Sequence, residues 1–287
     1  MQYITEENIT EIALTRWGSG HDPRTAELLT ALVHHLHAFA REVQLTEAEW
    51  GAAIRWLVRT GKISDERREE FVLASDVLGL SMLVVQMNNK FDPVATPATV
   101  LGPFHLGRSP HAEYGADMSD GVPGTPLYIH GVVRDVDGKP VGGAVLDVWQ
   151  ADSEGLYESQ LKDVDEARLR AKYTSREDGS YSVRTIVPFG YGIPNEGPVR
   201  DLVNLTAMSP FRPAHVHFLI EAPGYERLIT HLFREGTPHL ESDVVYGVKE
   251  ELVVNFVENE PGPTPNGGES AEQFFTVEYD FVLQSRA

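Results

Sequence analysis

Cysteine is missing altogether from the 287 residues. That removes any disulfide framework or thiolate ligand, so a bound metal would have to rest on nitrogen and oxygen donors. Basic residues are scarce: 24 Lys and Arg stand against 43 Asp and Glu, for a formal charge of -19. Such an excess repels phosphate backbones and anionic lipid, which argues against nucleic acid and anionic membranes as partners. No apolar run is long enough to span a bilayer, and Met1–Glu7 lacks a basic segment leading into an apolar one. The expectation is a chain with no membrane span and a cytoplasmic location. What remains is an ordinary globular complement, with 41% apolar residues to build a core.

The pattern changes near residue 100. Before it, apolar residues recur at helical spacing: Leu28, Leu29, Leu32, Val33, Leu36 and Phe39, then Trp50, Ile54 and Leu57, then Phe71 through Val85. Three or four helices are expected between about residues 5 and 90. Residues 91–125 are rich in Pro and Gly and read as a long ordered linker. Beyond it the period becomes two. Leu127–Val133 and Ala144–Trp149 flank the turn-rich Asp135–Pro140 and read as a hairpin, followed by strands at 181–187, 214–221, 228–233, 251–256 and 274–283. The expected class is α+β, with a helical segment over residues 1–100 followed by a mostly antiparallel β-sandwich over 101–287.

The chemistry centres on Arg212-Pro213-Ala214-His215-Val216-His217-Phe218. Side chains alternate across a strand, so His215 and His217 share one face while Val216 and Phe218 share the other. Alone, two imidazoles fit zinc, copper or iron and need further ligands. Two tyrosines stand in glycine-rich settings, Tyr157 after Gly155 and Tyr191 between Gly190 and Gly192. A phenol with a pKa of about 10 is a poor ligand for a divalent ion at neutral pH. A trivalent ion favours the phenolate, so two tyrosines and two histidines together would suit ferric iron. A divalent-metal hydrolase would need a nearby carboxylate. Glu221 has the right parity, but lies roughly 13 Å along the strand from His217.

Gly155-Leu156-Tyr157, Tyr191 in a Tyr-x-Ile-Pro context, and Arg-Pro-Ala-His-Val-His together resemble the intradiol ring-cleavage dioxygenases of the catechol branch. The likeness extends over nearly the whole chain, including Leu101-Gly102-Pro103-Phe104. It implies one Fe(III) per subunit held by Tyr157, Tyr191, His215 and His217, with Tyr191 and His217 axial. It also implies a place in aromatic catabolism, with a small aromatic diol or triol and O2 as substrates. Tyr191 would leave the metal and take a substrate proton, and Arg212 would stabilise negative charge on the ring. A homodimer through the N-terminal helices, with a phospholipid trapped at the interface, follows from the same resemblance.

The family's pocket maps onto Leu73, Asp76, Val100, Leu101, Gly102, Pro103, Phe104, Ile193, Arg212, Val244 and Val245. The Leu73-x-x-Asp76 spacing resembles hydroxyquinol 1,2-dioxygenases, because a carboxylate there can accept a hydrogen bond from a third ring hydroxyl. The expected product is 3-hydroxy-cis,cis-muconate, which tautomerises to maleylacetate. Catechol or chlorocatechol cleavage to cis,cis-muconates is the alternative. His231 stands where catechol enzymes tend to carry glutamine, and is expected beside the ligands without being one. A rival of another class is an iron-free sandwich used for binding or transport, suggested by the Asp137–Ala144 turn.

Overall fold

A computed structural model describes residues 3–20, 22–65, 67–161 and 167–286. The chain forms two compact units, one up to Val58 and one from Arg59 onward. In the first, α1 (Ile9–Gly18) packs against α2 (Pro23–Glu42). The start of α2 is set by Asp22, whose carboxylate accepts the Thr25 amide at 2.9 Å, and by Pro23, which is pre-shaped for a first helical turn. Thr10 meets His37 Nδ1 at 3.0 Å, and Arg41 donates to the Glu6 carbonyl at 2.8 Å, tying α1 to α2. α3 (Glu47–Ile63) begins in this unit and ends in the next.

The third apolar segment divides in two, so five helices rather than three or four precede residue 90 among the described residues. α4 (Glu70–Val77) and α5 (Leu80–Asn88) meet at 78°. Gly79 causes the break: its φ of 74° is left-handed, and a Cβ there would touch the Tyr246 ring at 3.4 Å.

Two five-stranded sheets build the sandwich. One contains β1 (Pro126–Asp135), β4 (Ser180–Ile186), β10 (Val257–Asn259), β13 (Phe274–Glu278) and β14 (Phe281–Leu283), with β1 pairing β4, β13 and β14. The other runs β3-β2-β7-β8-β9, from β2 (Val145–Trp149), β3 (Arg170–Thr174), β7 (His215–Glu221), β8 (Leu228–Arg234) and β9 (Val253–Val254). Shorter pairs join β5 (Tyr191–Gly192) to β6 (Phe211–Arg212), and β11 (Gly262–Pro263) to β12 (Glu269–Ser270). A short α6 (Pro198–Val203) lies between β5 and β6. Parallel pairing of β1 with β13 and β14, and of β8 with β9, makes the sheets mixed.

The turn at Asp135–Pro140 forms as expected, with Gly138 and Lys139 bonded back to Asp135, but no hairpin follows. β1 and β2 part into different sheets, because each needs an apolar face in the shared core and partners along both edges. The expected strand 274–283 is interrupted at Tyr279-Asp280. A Cβ on Gly131 would meet the Tyr279 carbonyl at 2.0 Å, and the Asp280 carboxylate accepts the Val132 amide at 2.8 Å. The expected strand 251–256 becomes a 3-10 turn at Glu250–Leu252, then β9, then β10. β3 escaped sequence reading because only Ala171 and Tyr173 of its five residues enter the core, too few for a periodic signal.

Alternation governs the layers. Leu146 and Val148 of β2, Val216, Phe218 and Ile220 of β7, and Leu228 and Leu232 of β8 all enter the inter-sheet core. Their neighbours Trp149, His217, Leu219 and His231 therefore stand on the opposite face. Trp149 pairs with His217, and His217 with His231, in one row across three strands.

Candidate metal centre

The four expected ligands arrive from three places. β7 contributes His215 and His217, β5 opens with Tyr191, and Tyr157 precedes the 3-10 turn at Glu158–Gln160. Tyr157 Oη lies 3.1 Å from Tyr191 Oη and 3.0 Å from His217 Nε2, and His217 Nε2 lies 3.1 Å from His215 Nε2. A transition ion holding nitrogen and oxygen at about 2.0–2.1 Å would keep adjacent donors ~3 Å apart. All four side chains are buried, Tyr191 the least so at 7% exposure.

Glycine makes this approach possible. A Cβ on Gly155, where φ is 79°, would stand 2.5 Å from Tyr191 Cβ. One on Gly190 would stand 2.9 Å from the Arg212 carbonyl. The Tyr157 loop reaches Tyr191 because Gly155 lacks a side chain, and the chain before Tyr191 reaches Arg212 because Gly190 does.

The hydrogen bonds settle which nitrogens face the cluster. His215 Nδ1 lies 2.7 Å from the Pro213 carbonyl, which accepts only, so the proton sits on Nδ1 and the unprotonated Nε2 is turned to the cluster. His217 Nδ1 meets His231 Nε2 at 2.7 Å, which directs His217 Nε2 at the same point. Burial pulls His215, His217 and His231 well below the ordinary imidazole range, so they are neutral. Burial and the neighbouring Tyr191 push Tyr157 well above its usual value. Burial also raises Tyr191, against the opposing pull of Arg212. Two phenols held this far from ionisation need an adjacent concentrated positive charge to become ligands, and two imidazole nitrogens turned to the same point complete a nitrogen and oxygen set that fits a metal ion.

A geometric triad of His215, His217 and His231, with ligating atoms within 4.8 Å of one another, offers another donor set. The tyrosine-containing set fits better. His231 Nε2 is engaged with His217, and its Nδ1 lies 2.8 Å from Thr99 Oγ1, so neither nitrogen is free.

Beside the cluster a narrow cavity is lined by Leu73, Asp76, Val100, Gly102, Pro103, Phe104, Tyr191, Ile193, Arg212, His217 and Val245. Most of the expected pocket is therefore assembled, from α4, the linker, and the loops around β5 and β6. Leu101 and Val244 lie beside the cavity rather than on its wall: Leu101 packs on the Trp149–Tyr157 cluster, and Val244 bonds through its amide to the Phe211 carbonyl. Phe104 stacks on Tyr157 with centroids 4.5 Å apart.

Asp243 opens the stretch 243–246 that was expected at the pocket, but no role of its own was expected for it. Its carboxylate accepts Arg212 Nε at 3.0 Å and Nη2 at 3.3 Å, and also the Gly247 amide at 2.9 Å. Burial alone would lower Arg212, but Asp243 outweighs it and the guanidinium remains charged, with Nη1 donating to His215 Nε2 at 3.1 Å. Nothing in the local sequence singles out Asp243; the pair joins residues 31 apart. The buried pair Glu158–Arg170 was also missed, and Arg170 donates to the Phe104 carbonyl at 3.1 Å.

A sandwich carrying buried Tyr, Tyr, His and His beside an arginine-lined cavity defines a ring-cleaving dioxygenase. The family description "Dioxygenase" matches residues 100–285, and "Catechol dioxygenase N terminus" matches residues 22–96. The chain belongs to the intradiol ring-cleavage dioxygenases. It is 45% identical over 283 residues to the 6-chlorohydroxyquinol 1,2-dioxygenase of Cupriavidus pinatubonensis, covering 99% of each. To the hydroxyquinol 1,2-dioxygenase of Nocardioides simplex it is 44% identical, covering 98% of this chain and 96% of the relative. The solved structure of hydroxyquinol 1,2-dioxygenase from Pseudomonas putida DLL-E4 superposes with a TM-score of 0.88 at 40% identity, covering 98% of this chain and 99% of that one.

Proposed function

We propose that the protein opens hydroxyquinol between its two adjacent hydroxyls, with both atoms of O2 entering the product. The product is 3-hydroxy-cis,cis-muconate, which tautomerises to maleylacetate. One Fe(III) per subunit would be held by Tyr157, Tyr191, His215 and His217. When bound, the ion would supply the charge that ionises phenol and diol alike, and would make the ring reactive toward O2.

The protein groups have separable tasks. Tyr191 Oη, on the cavity wall, takes one proton from the incoming diol. Arg212, held by Asp243, keeps a permanent positive charge where the ring gains negative charge. Leu73, Val100, Phe104, Ile193 and Val245 exclude water and confine the ring plane. Gly102, at a left-handed φ of 76°, turns the linker beside His217, where a Cβ would lie in ordinary contact 3.6 Å from its Cε1.

The observation that carries the substrate choice is Asp76. It is 1% exposed, lines the cavity, and its Oδ2 has no hydrogen-bond partner. A buried carboxylate oxygen without a donor favours a ligand that brings one, and the third hydroxyl of hydroxyquinol does. Relatives named for hydroxyquinol support the same reading. Oxygen uptake with hydroxyquinol, catechol and 4-chlorocatechol side by side is the test. Hydroxyquinol should be preferred, and Asp76→Leu should erode the preference; equal or better turnover of catechol by the unmodified protein would refute this assignment.

A twofold dimer through the N-terminal helices, with phospholipid at the interface, belongs to the same proposal. Its support is the row Leu28, Leu32, Leu36 and Phe39 on α2, each 53–54% exposed in the single chain. A cytoplasmic location also belongs here, to be checked by cell fractionation. Among the described residues no single helix is long and apolar enough to cross a membrane.

A further inference from the structure

His231 is wholly buried, faces the centre, and bonds with both ring nitrogens. If His217 turns its Nε2 lone pair toward a metal, its proton must sit on Nδ1 and be donated to His231 Nε2. His231 is then protonated on Nδ1, which donates to Thr99 Oγ1. The direction of every bond in the row follows from the first.

Thr99 is itself 1% exposed and immediately precedes the cavity wall of Val100, Gly102, Pro103 and Phe104. Its amide donates to the Ile229 carbonyl at 2.7 Å, and Thr230 Oγ1 donates to the Pro97 carbonyl at 2.8 Å. Lys249 Nζ reaches the Ala98 carbonyl at 2.8 Å. The start of the linker is thus fastened along β8, and the Thr99–His231 bond carries that fastening to the ligand strand. On the other side of His217 the Trp149 ring stacks with centroids 4.6 Å apart and an interplanar angle of 14°.

We infer that His231 is a positioning residue that fixes the tautomer and plane of His217 and, through Thr99, couples this ligand to the linker forming the substrate wall. The inference rests on the iron reading above. It assigns His231 no place among the ligands. An imidazole is well suited to the task because it accepts on one side and donates on the other from a rigid ring; a glutamine amide can reproduce both bonds, whereas an apolar residue can make neither.

The test uses the full-length protein loaded with ferric iron, comparing His231→Gln, His231→Leu and Thr99→Val. The readouts are the phenolate-to-iron absorption band and the rate at which a chelator removes iron. His231→Leu should shift or broaden the band and lose iron about 10–100-fold faster, the usual cost of removing a ligand's hydrogen-bond partner. His231→Gln should restore a sharp band and slow loss, and Thr99→Val should fall between. Thr99→Val also guards against a folding defect in the leucine variant, since it removes one hydroxyl and keeps the volume. A leucine variant indistinguishable from the unmodified protein would overturn the inference. Iron loss as complete in His231→Gln as in His231→Leu would also overturn it, by making His231 a ligand. If the unmodified protein shows no phenolate band under ferric loading, the underlying iron reading fails first, and that outcome is distinct from the other two.

Discussion

Asp76 is a buried carboxyl that costs stability, and in the proposed function it returns selectivity for that cost. Burial raises its pKa, with Ser81 and Arg212 opposing, so the ionised form is less welcome in the folded protein than in the unfolded chain. The cost is present at neutral pH and fades as pH falls toward the ordinary carboxyl value of about 3.9. Asp76→Asn should therefore raise the melting temperature at pH 7 and lose that advantage near pH 4, which thermal scans across pH would show. Asp243 is the opposite case. With both side chains buried, Asp243→Ala would strand the Arg212 charge and cost about 3–5 kcal/mol in denaturant titration, more than an exposed ion pair could. At the metal centre, Tyr191→Phe should abolish one phenolate-to-iron transition and slow turnover; a spectrum with both transitions intact would refute its role as ligand.

At the level of elements, the site depends on strands too short to carry a sequence signal. β5 and β6 have two residues each, yet their pairing sets Tyr191 opposite Arg212. Gly155 permits the neighbouring loop to come close. Gly155→Ala should force the two tyrosine loops apart, costing about 1–3 kcal/mol for the left-handed backbone alone and weakening the iron-phenolate band further. Loss of stability with an unchanged band in the iron-loaded variant would mean that the loops give way elsewhere. The long strands were legible because Val216, Phe218 and Ile220 alternate strictly with the site-facing residues. β3 was not legible, because only two of its five residues, Ala171 and Tyr173, enter the core; its basic residues are tied down by Glu158 and Asp147, partners outside the strand.

For the whole molecule, the self-repelling charge and the exposed row on α2 together call for a specific partner surface rather than general stickiness. Light scattering should give twice the 31.9 kDa chain mass, and replacing Leu32 and Leu36 by glutamate should give the single-chain mass. Removing iron should lower the melting temperature, since an ion bound only by the folded form stabilises it. The sequence by itself determined which donor types are on offer: with no cysteine, a His-x-His strand and two tyrosines framed by glycine, the candidate donors were readable because strand parity and side-chain pKa are local properties. Only the tertiary structure decided the rest. It parted β1 from β2 into separate sheets, clamped Arg212 with Asp243, set His231 against His217, and left one oxygen of Asp76 without a partner. None of these is a local property: His217 meets His231 through the pairing of β7 with β8, Arg212 reaches Asp243 across 31 residues, and Asp76 comes from α4, so strand pairing and the packing of helix and loops around the site decide them.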